Sequence, residues 1–313
     1  MATAPLTIAV GAGISGLTCA YALKKAGQNV LLLEASPQPG GVIQSVEGNG
    51  YLFELGPQSF SSTIELAELC AELGLANDVL AAPHGAPRYV LINNKLTPVP
   101  LSPPALLFSD LLSWGTKFSF LKDAFGKSAP PEADESIAAF VRRKFSAELL
   151  NRLVGPFVSG IYAGDPEQLS LRAAFPMLYE GEKTAGSVIR GGFKSGVGKK
   201  KEMPSRLKPR TGLLSFRSGN ATLPQALAHA IGPALRCNVA VGEVRHAGGK
   251  FTLRAQSASG QEEFECDRLV LATPTNVCAR LLRDLTPAAS TALNNIAYAS
   301  IAVVSLGYKR EQV

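Results

Sequence analysis

Three glycines and one acid near the start of the chain have the types and spacing to hold a phosphate-bearing cofactor. Gly11-Ala12-Gly13-Ile14-Ser15-Gly16 follows an apolar run at residues 6–10 and opens a helical pattern, and Glu34 closes the next apolar run. In that setting Gly11 permits a tight turn, Gly13 lets the backbone approach a pyrophosphate, and Gly16 lets helix and strand pack closely. The free N–H groups of the helix end, with the helix dipole, would face the phosphates. Glu34 lies where a carboxylate accepts hydrogen bonds from a ribose 2′-OH, and an acid there opposes the 2′-phosphate of NADP. The alternative is a tight turn that binds nothing.

A second glycine pair separates FAD from NAD. Gly40-Gly41 follows Glu34 closely, and Phe53-Glu-Leu-Gly56-Pro57 comes next. Such glycines let the backbone run close to an extended, bulky cofactor. The expected cofactor is therefore FAD.

Around these residues, 6–34 reads as strand, helix, strand, and 64–73 as a second helix stopped by Gly74. A hairpin is expected over 88–99, turning at Asn93-Asn94. From Pro98 the pattern changes to helices at 105–114, 137–145 and 147–158, whose apolar face (Leu106, Leu107, Phe108, Leu111, Leu112, Trp114) is either core or a surface resting on a membrane. The α/β signal then returns, with a helix at 223–231 and strands at 238–244, 251–255, 269–273 and 301–308. The expected fold is α/β: a discontinuous Rossmann-like FAD-binding domain with a helical insertion and a partial mixed-sheet substrate domain. The boundaries are 1–86 for the first part of the FAD-binding domain, 87–98 for a substrate-domain hairpin, and 99–211 for the insertion. The second part of the FAD-binding domain takes 212–276, and 277–313 begins the substrate domain, which reads as truncated.

At 313 residues, 46% hydrophobic and 18% charged, the chain is long enough for two domains with a large core. The net charge of +6 is local: residues 194–210 hold seven basic side chains and one acid, an excess equal to the whole. That run is a solvated loop or a contact for anionic lipid or an acidic substrate. Nucleic acid is not expected, because no aromatic side chains interleave it. Five scattered cysteines and three separated histidines (His84, His229, His246) give no ligand spacing, so no metal is expected, and the cysteines suit a reducing compartment. No targeting segment and no run of ~18 apolar residues is seen, which reads as cytoplasmic, with peripheral membrane attachment left open.

Further motifs carry a resemblance: Gly40-Gly-Val-Ile-Gln-Ser, Gly56-Pro-Gln-Ser-Phe60, Pro87-Arg-Tyr-Val, Pro156-Phe-Val-Ser-Gly-Ile-Tyr-Ala-Gly-Asp-Pro166, Phe216-Arg-Ser-Gly and Leu271-Ala-Thr-Pro274. The sequence resembles the amine-oxidase-like flavoprotein superfamily and, within it, the protoporphyrinogen oxidase family, over essentially its whole length. The segment 157–170 discriminates most. The resemblance implies that Gly11, Ala12, Gly13, Ile14, Ser15, Gly16, Glu34 and Ala35 hold the ADP half of FAD. It places Gly40, Gly41, Val42, Leu55, Gly56, Pro57 and Gln58 along the ribityl and flavin, and Val244 at the adenine end. Arg88 would pair with a substrate propionate, as a guanidinium fork suits. Gln58, Phe157, Tyr162, Ala163 and Gly164 would line the cavity. Gln58 stands where related sequences often have Asn, and Val42 replaces a basic residue common in amine oxidases, which speaks against an amine substrate.

The implied reaction is six-electron oxidation of a porphyrinogen to a porphyrin with O2 as acceptor, protoporphyrinogen or coproporphyrinogen being the substrate. It needs no catalytic side-chain nucleophile, and none is assigned. Another flavin amine oxidase or desaturase, and a non-catalytic FAD-binding fragment, are the rivals. A homodimer and a peripheral membrane contact stay open as partners. Family members continue past Val313, so part of the flavin site is expected beyond it.

Overall fold

A computed structural model describes residues 4–61, 63–83, 88–100, 103–196 and 213–312. Most of the basic run at 194–210, together with His84, lies outside the described residues.

The chain begins β1 (Leu6–Val10), α1 (Ile14–Lys25) and β2 (Asn29–Leu33). β1 and β2 are nearly continuous apolar runs because both faces of their parallel sheet are covered. A short antiparallel pair follows, β3 (Ser45–Gly48) and β4 (Tyr51–Glu54). Then come β5 (Phe60–Ser61), α2 (Ile64–Glu72), capped by the Thr63 hydroxyl, and β6 (Val79–Ala81).

The middle segment opens with the hairpin β7 (Tyr89–Ile92) and β8 (Lys95–Pro98), whose turn residues Asn93 and Asn94 take positive φ. Among the described residues eight helices follow: α3 (Pro103–Phe108), α4 (Trp114–Phe125), α5 (Ile137–Lys144), α6 (Ala147–Leu149), α7 (Gly155–Tyr162), α8 (Leu171–Ala174), α9 (Pro176–Ala185) and α10 (Val188–Gly196). A π-helical turn, Leu150–Val154, joins α6 to α7.

The last segment contains β9 (Leu213–Phe216), α11 (Thr222–Ile231), β10 (Leu235–Arg236), the meander β11 (Ala240–Ala247), β12 (Lys250–Ser257) and β13 (Gly260–Cys266), then β14 (Arg268–Leu271), α12 (Thr275–Leu282) and α13 (Pro287–Asn294). The strand expected over 301–308 does not form. Among the described residues, 301–308 pair with no strand, and Ile301, Val304 and Leu306 are exposed. The helix expected over 105–114 breaks instead at Ser109–Ser113, and a new helix starts at Trp114.

Two compact units result: residues 1–82 with 204–298 and 302–313, and residues 83–203 with 299–301. In the first, the parallel sheet runs β10-β2-β1-β14. One face packs Ala9 and Leu32 against Leu17 and Ala20 of α1 and Leu227 and Ile231 of α11. The other packs Ile8, Val10 and Leu33 against Val244, Leu253 and Cys266 of the meander and Leu281 of α12. In the second unit the core is helical, with Ile137, Phe140, Leu150, Val158 and Leu171, and the hairpin lays Val90 and Ile92 against it.

That helical core encloses an ionic cluster. Glu182, fully buried, accepts from Arg143 at 2.8 Å, Lys144 at 3.3 Å and the Ser128 hydroxyl at 2.6 Å. Lys144 also pairs with the buried Asp123 at 2.5 Å. Burial opposes ionisation of Glu182, but Arg143 and Ser128 outweigh it and hold the carboxyl down at about 2.

Candidate functional site: a dinucleotide cradle and the loops beside it

The turn between β1 and α1 is built by its glycines. Gly11 has φ +99°, and its N–H donates to Leu33 O at 2.8 Å. A Cβ on Gly11 would meet Ala272 O at 2.8 Å, and one on Gly16 would collide with Gly11 O. Gly13 differs: a Cβ there would meet no protein atom within 4 Å. Its missing side chain leaves open space in front of the α1 N-terminus, where no side chain caps the helix. Uncapped N–H groups facing a clear approach are the features a pyrophosphate requires.

Glu34 stands at the end of β2, 9% exposed. Its Oε2 accepts from Ala12 N at 2.6 Å and its Oε1 from Ser36 N at 2.8 Å. Each oxygen keeps a further lone-pair site, so the carboxylate can still accept from ribose hydroxyls. The chain after β10 runs beside it: Glu34 N donates to Arg236 O and Val239 N to Glu34 O. Burial, then the charge of Glu34, pushes the Cys237 thiol up.

Gly40 and Gly41 close onto the same turn. Gly40 N donates to Ala12 O at 2.8 Å, and Gly13 and Gly40 form an isolated parallel bridge. Both glycines take positive φ, and a Cβ on Gly41 would press on Gly13 Cα at 3.2 Å. Beyond them the exposed Val42 lies beside Gly56, where a Cβ would collide with Val42 O. Leu55, Pro57 and Gln58 are exposed too. Gly11–Gly16, Glu34 with the adjoining Ala35, Gly40–Val42 and Leu55–Gln58 thus form one connected set in the first unit, linked through Ala12–Glu34, Gly40–Ala12 and Gly56–Val42. Val244 is placed differently from these: its side chain is in the meander core and its backbone is paired with Leu253.

Arg88, Phe157, Tyr162, Ala163 and Gly164 belong to the second unit, Gln58 to the first. Arg88 is exposed at the foot of β7, its carbonyl accepting from Val99 N. Phe157 and Tyr162 meet at Phe175, at ring distances of 6.3 and 5.8 Å, and the Tyr162 hydroxyl donates to Ala174 O. Ala163 ends α7 in the left-handed conformation at φ +46°. Gly164 admits Leu169, whose Cδ1 would lie 2.9 Å from a Cβ there.

Sequence reasoning gave no role to three residues beneath the loop 55–58. Ser45 Oγ donates to Glu54 Oε2 at 2.7 Å, Asn220 N donates to Glu54 Oε1 at 2.8 Å, and Asn220 Nδ2 donates to Pro57 O at 2.7 Å. The signal was present in the motifs Phe53-Glu-Leu-Gly and Phe216-Arg-Ser-Gly-Asn. The small sheet β5-β9-β6 brings these motifs together, with Phe60 against Phe216. Among the described residues no group of His, Cys, Asp and Glu could hold a metal ion.

A parallel sheet whose β1–α1 turn leaves open space at Gly13 before an uncapped helix N-terminus, beside an acid just after β2, defines a dinucleotide-binding protein of the α/β class. The comparisons make this specific. The sequence pattern of the family described as flavin containing amine oxidoreductase matches residues 14–312, and the chain belongs to that family, with FAD as its cofactor. It is 35% identical over 98% of its length to the chloroplastic protoporphyrinogen oxidase of Nicotiana tabacum, covering 57% of that protein. It is 33% identical over 75% of its length to the coproporphyrinogen III oxidase of Staphylococcus aureus, covering 54%. Among solved structures, an Exiguobacterium protein provisionally named a protoporphyrinogen oxidase superposes at TM-score 0.73 with 24% identity, over 91% of this chain and 62% of that one. Cyclohexylamine oxidase from Brevibacterium oxydans superposes at 0.64 with 22% identity, over 93% and 63%. The chain thus spans rather more than half the length of the relatives it matches.

Proposed function

We propose that the protein acts in the FAD-dependent oxidation of protoporphyrinogen IX to protoporphyrin IX, with O2 as the final acceptor. The reading of the cofactor site rests on the open space at Gly13 facing the uncapped α1 N-terminus. The substrate reading draws its support from protoporphyrinogen oxidases aligning with 98% of the chain.

When bound, FAD supplies a two-electron acceptor, used three times per porphyrinogen. The chain's own residues have other tasks. Gly11–Gly16 and the α1 N–H groups would hold the pyrophosphate, with Glu34 accepting from the ribose. Ala35 and the backbone near Val244 would flank the adenine end. Gly40, Gly41, Val42 and Leu55–Gln58 would run along the ribityl chain and ring. Arg88 would offer a fork to a propionate. In the second unit Phe157, Tyr162, Ala163 and Gly164 would offer a wall to the substrate, Phe157 and Tyr162 being fixed by Phe175; in the first, Gln58 would offer its amide to the substrate. No side-chain nucleophile takes part.

The test is incubation of the protein and FAD with protoporphyrinogen and coproporphyrinogen in air, following porphyrin fluorescence. Faster oxidation of coproporphyrinogen would transfer the reading to the activity named for the Staphylococcus relative, and no rate above the protein-free control with either would end it.

A second reading concerns location. On α4, Trp114, Phe118, Leu121 and Phe125 recur at helical spacing and all are exposed, Phe125 at 84%. Lys117 and Lys122 flank this stripe, an arrangement suited to resting on an anionic lipid surface. No helix among the described residues is long and apolar enough to cross a membrane.

A further inference from the structure

The loop 55–58 has no regular secondary structure, and its exposed side chains give it little packing to fix its path. Its position is set from below. The Glu54 carboxylate accepts from the Ser45 hydroxyl and from Asn220 N. Ser45 Oγ accepts in turn from Ala221 N at 3.0 Å. Asn220 is 5% exposed: its Nδ2 donates to Pro57 O, and its Oδ1 accepts from the Ser215 hydroxyl at 3.1 Å. Gly219 holds φ +86°, and a Cβ there would strike Ser45 Oγ, so the approach of the two segments depends on glycine. The segment carrying Asn220 enters α11, whose Pro224 touches the Gly40 position on its other side. One short stretch, 219–224, therefore underlies both loops that flank the cradle.

We infer that Glu54, Ser45 and Asn220 are positioning residues that fix the loop 55–58 over the cofactor site without contacting the cofactor. The consequence for the flavin rests on the reading that FAD lies along this loop. Leu55 N donates to Gln44 O and Gly56 abuts Val42, which leaves Pro57 and Gln58 to be held by the Asn220 bond. Breaking that part-buried hydrogen bond leaves its partner unsatisfied and frees this end of the loop to shift.

The experiment compares the parent chain with Asn220→Ala, Glu54→Ala, Glu54→Gln and Ser290→Ala. Ser290 is a buried serine of α13 bonded to Ala279 O, remote in sequence from both loops, and serves as the destabilised control. Amide hydrogen exchange is measured over residues 55–60 without ligand, then FAD affinity by flavin fluorescence and the visible circular dichroism of the bound flavin. N220A and E54A are expected to speed exchange at least tenfold, to weaken FAD about tenfold and to change the dichroism. E54Q keeps an acceptor for Asn220 N and is expected to recover part of each effect. S290A is expected to lower the melting temperature and leave all three unchanged. Unaltered exchange in both N220A and E54A, or equal acceleration in S290A, overturns the inference. If the parent chain bound no FAD, the cofactor reading would fall, while the exchange contrast would still decide the brace.

Discussion

The backbone N–H of Ala12 donates to Glu34 Oε2 at 2.6 Å, tying the turn after β1 to the residue that follows the next strand. Ser36 N binds the other carboxylate oxygen, so the side chain that would receive the ribose also fixes the cradle. Glu34→Ala is expected to leave two N–H groups unpaired, one of them buried, and to cost about 1–3 kcal/mol of stability as well as FAD affinity. Glu34→Gln retains one acceptor and should lose FAD affinity more than stability. Denaturant midpoints and FAD titrations on both variants check this. Equal FAD affinity in the parent and both variants would remove Glu34 from the site.

Gly13 and Gly16 are three residues apart, yet their substitution should fail in different ways. Gly13→Ala adds a methyl that meets no protein atom, at an N-cap backbone alanine can adopt. It should fold with a loss of at most ~1 kcal/mol and, if the phosphates approach here as proposed, bind FAD tenfold or more weakly. Gly16→Ala drives a methyl into Gly11 O and should lose both stability and FAD. Melting curves with and without FAD distinguish the two.

The sequence revealed the parts governed by local rules. Gly11–Glu34 has apolar strands flanking a glycine turn, and Asn93-Asn94 marks its hairpin by tolerating positive φ. α4 escaped because its patterning is inverted: Thr116 and Asp123 are buried while Trp114, Phe118 and Phe125 face outward. Its start is set by Ser113, which Glu148 holds from 35 residues away. β13 escaped because Glu262, Glu263 and Glu265 mask the inward Phe264 and Cys266. In the candidate site, the tight glycine turn and the place of Glu34 after β2 were legible because each is set by its own backbone or position. The Glu54–Asn220 contact spans 166 residues and needs β9 beside β5, which no local pattern announces.

The Glu182 cluster predicts acid sensitivity. Its folded value of about 2 lies below the ordinary 4.5, so the stabilisation is complete above pH 4.5 and is lost as pH falls toward 2. The amount is on the order of 3 kcal/mol. Glu182→Gln should cost about 2–4 kcal/mol at pH 7 and flatten the acid limb of the stability curve. Midpoints of urea unfolding between pH 2 and 7 read both effects. A limb as steep in the variant as in the parent would assign the sensitivity elsewhere.

The α4 stripe predicts binding to anionic vesicles that weakens with salt, since Lys117 and Lys122 contribute through charge. The double variant Trp114→Ala and Phe125→Ala removes two exposed rings. It should leave the melting temperature within a few degrees and reduce sedimentation with phosphatidylglycerol vesicles at least tenfold. Equal sedimentation of parent and variant would show that the stripe does not carry attachment.

Arg88 gives the sharpest test of substrate recognition. Its side chain is exposed, so Arg88→Ala should fold as the parent does. If its fork receives a propionate on binding, the alanine variant raises KM for a porphyrinogen about tenfold or more while kcat changes little, the signature of lost uniform binding. Arg88→Lys keeps the charge without the bidentate geometry and should recover only part of the loss. FAD affinity should be the same in all three proteins, because Arg88 is assigned to the substrate and not to the cofactor. A fall in kcat at constant KM would move Arg88 from recognition to the ordering of the reacting ring, and an unchanged KM and kcat would leave the propionate to another cation.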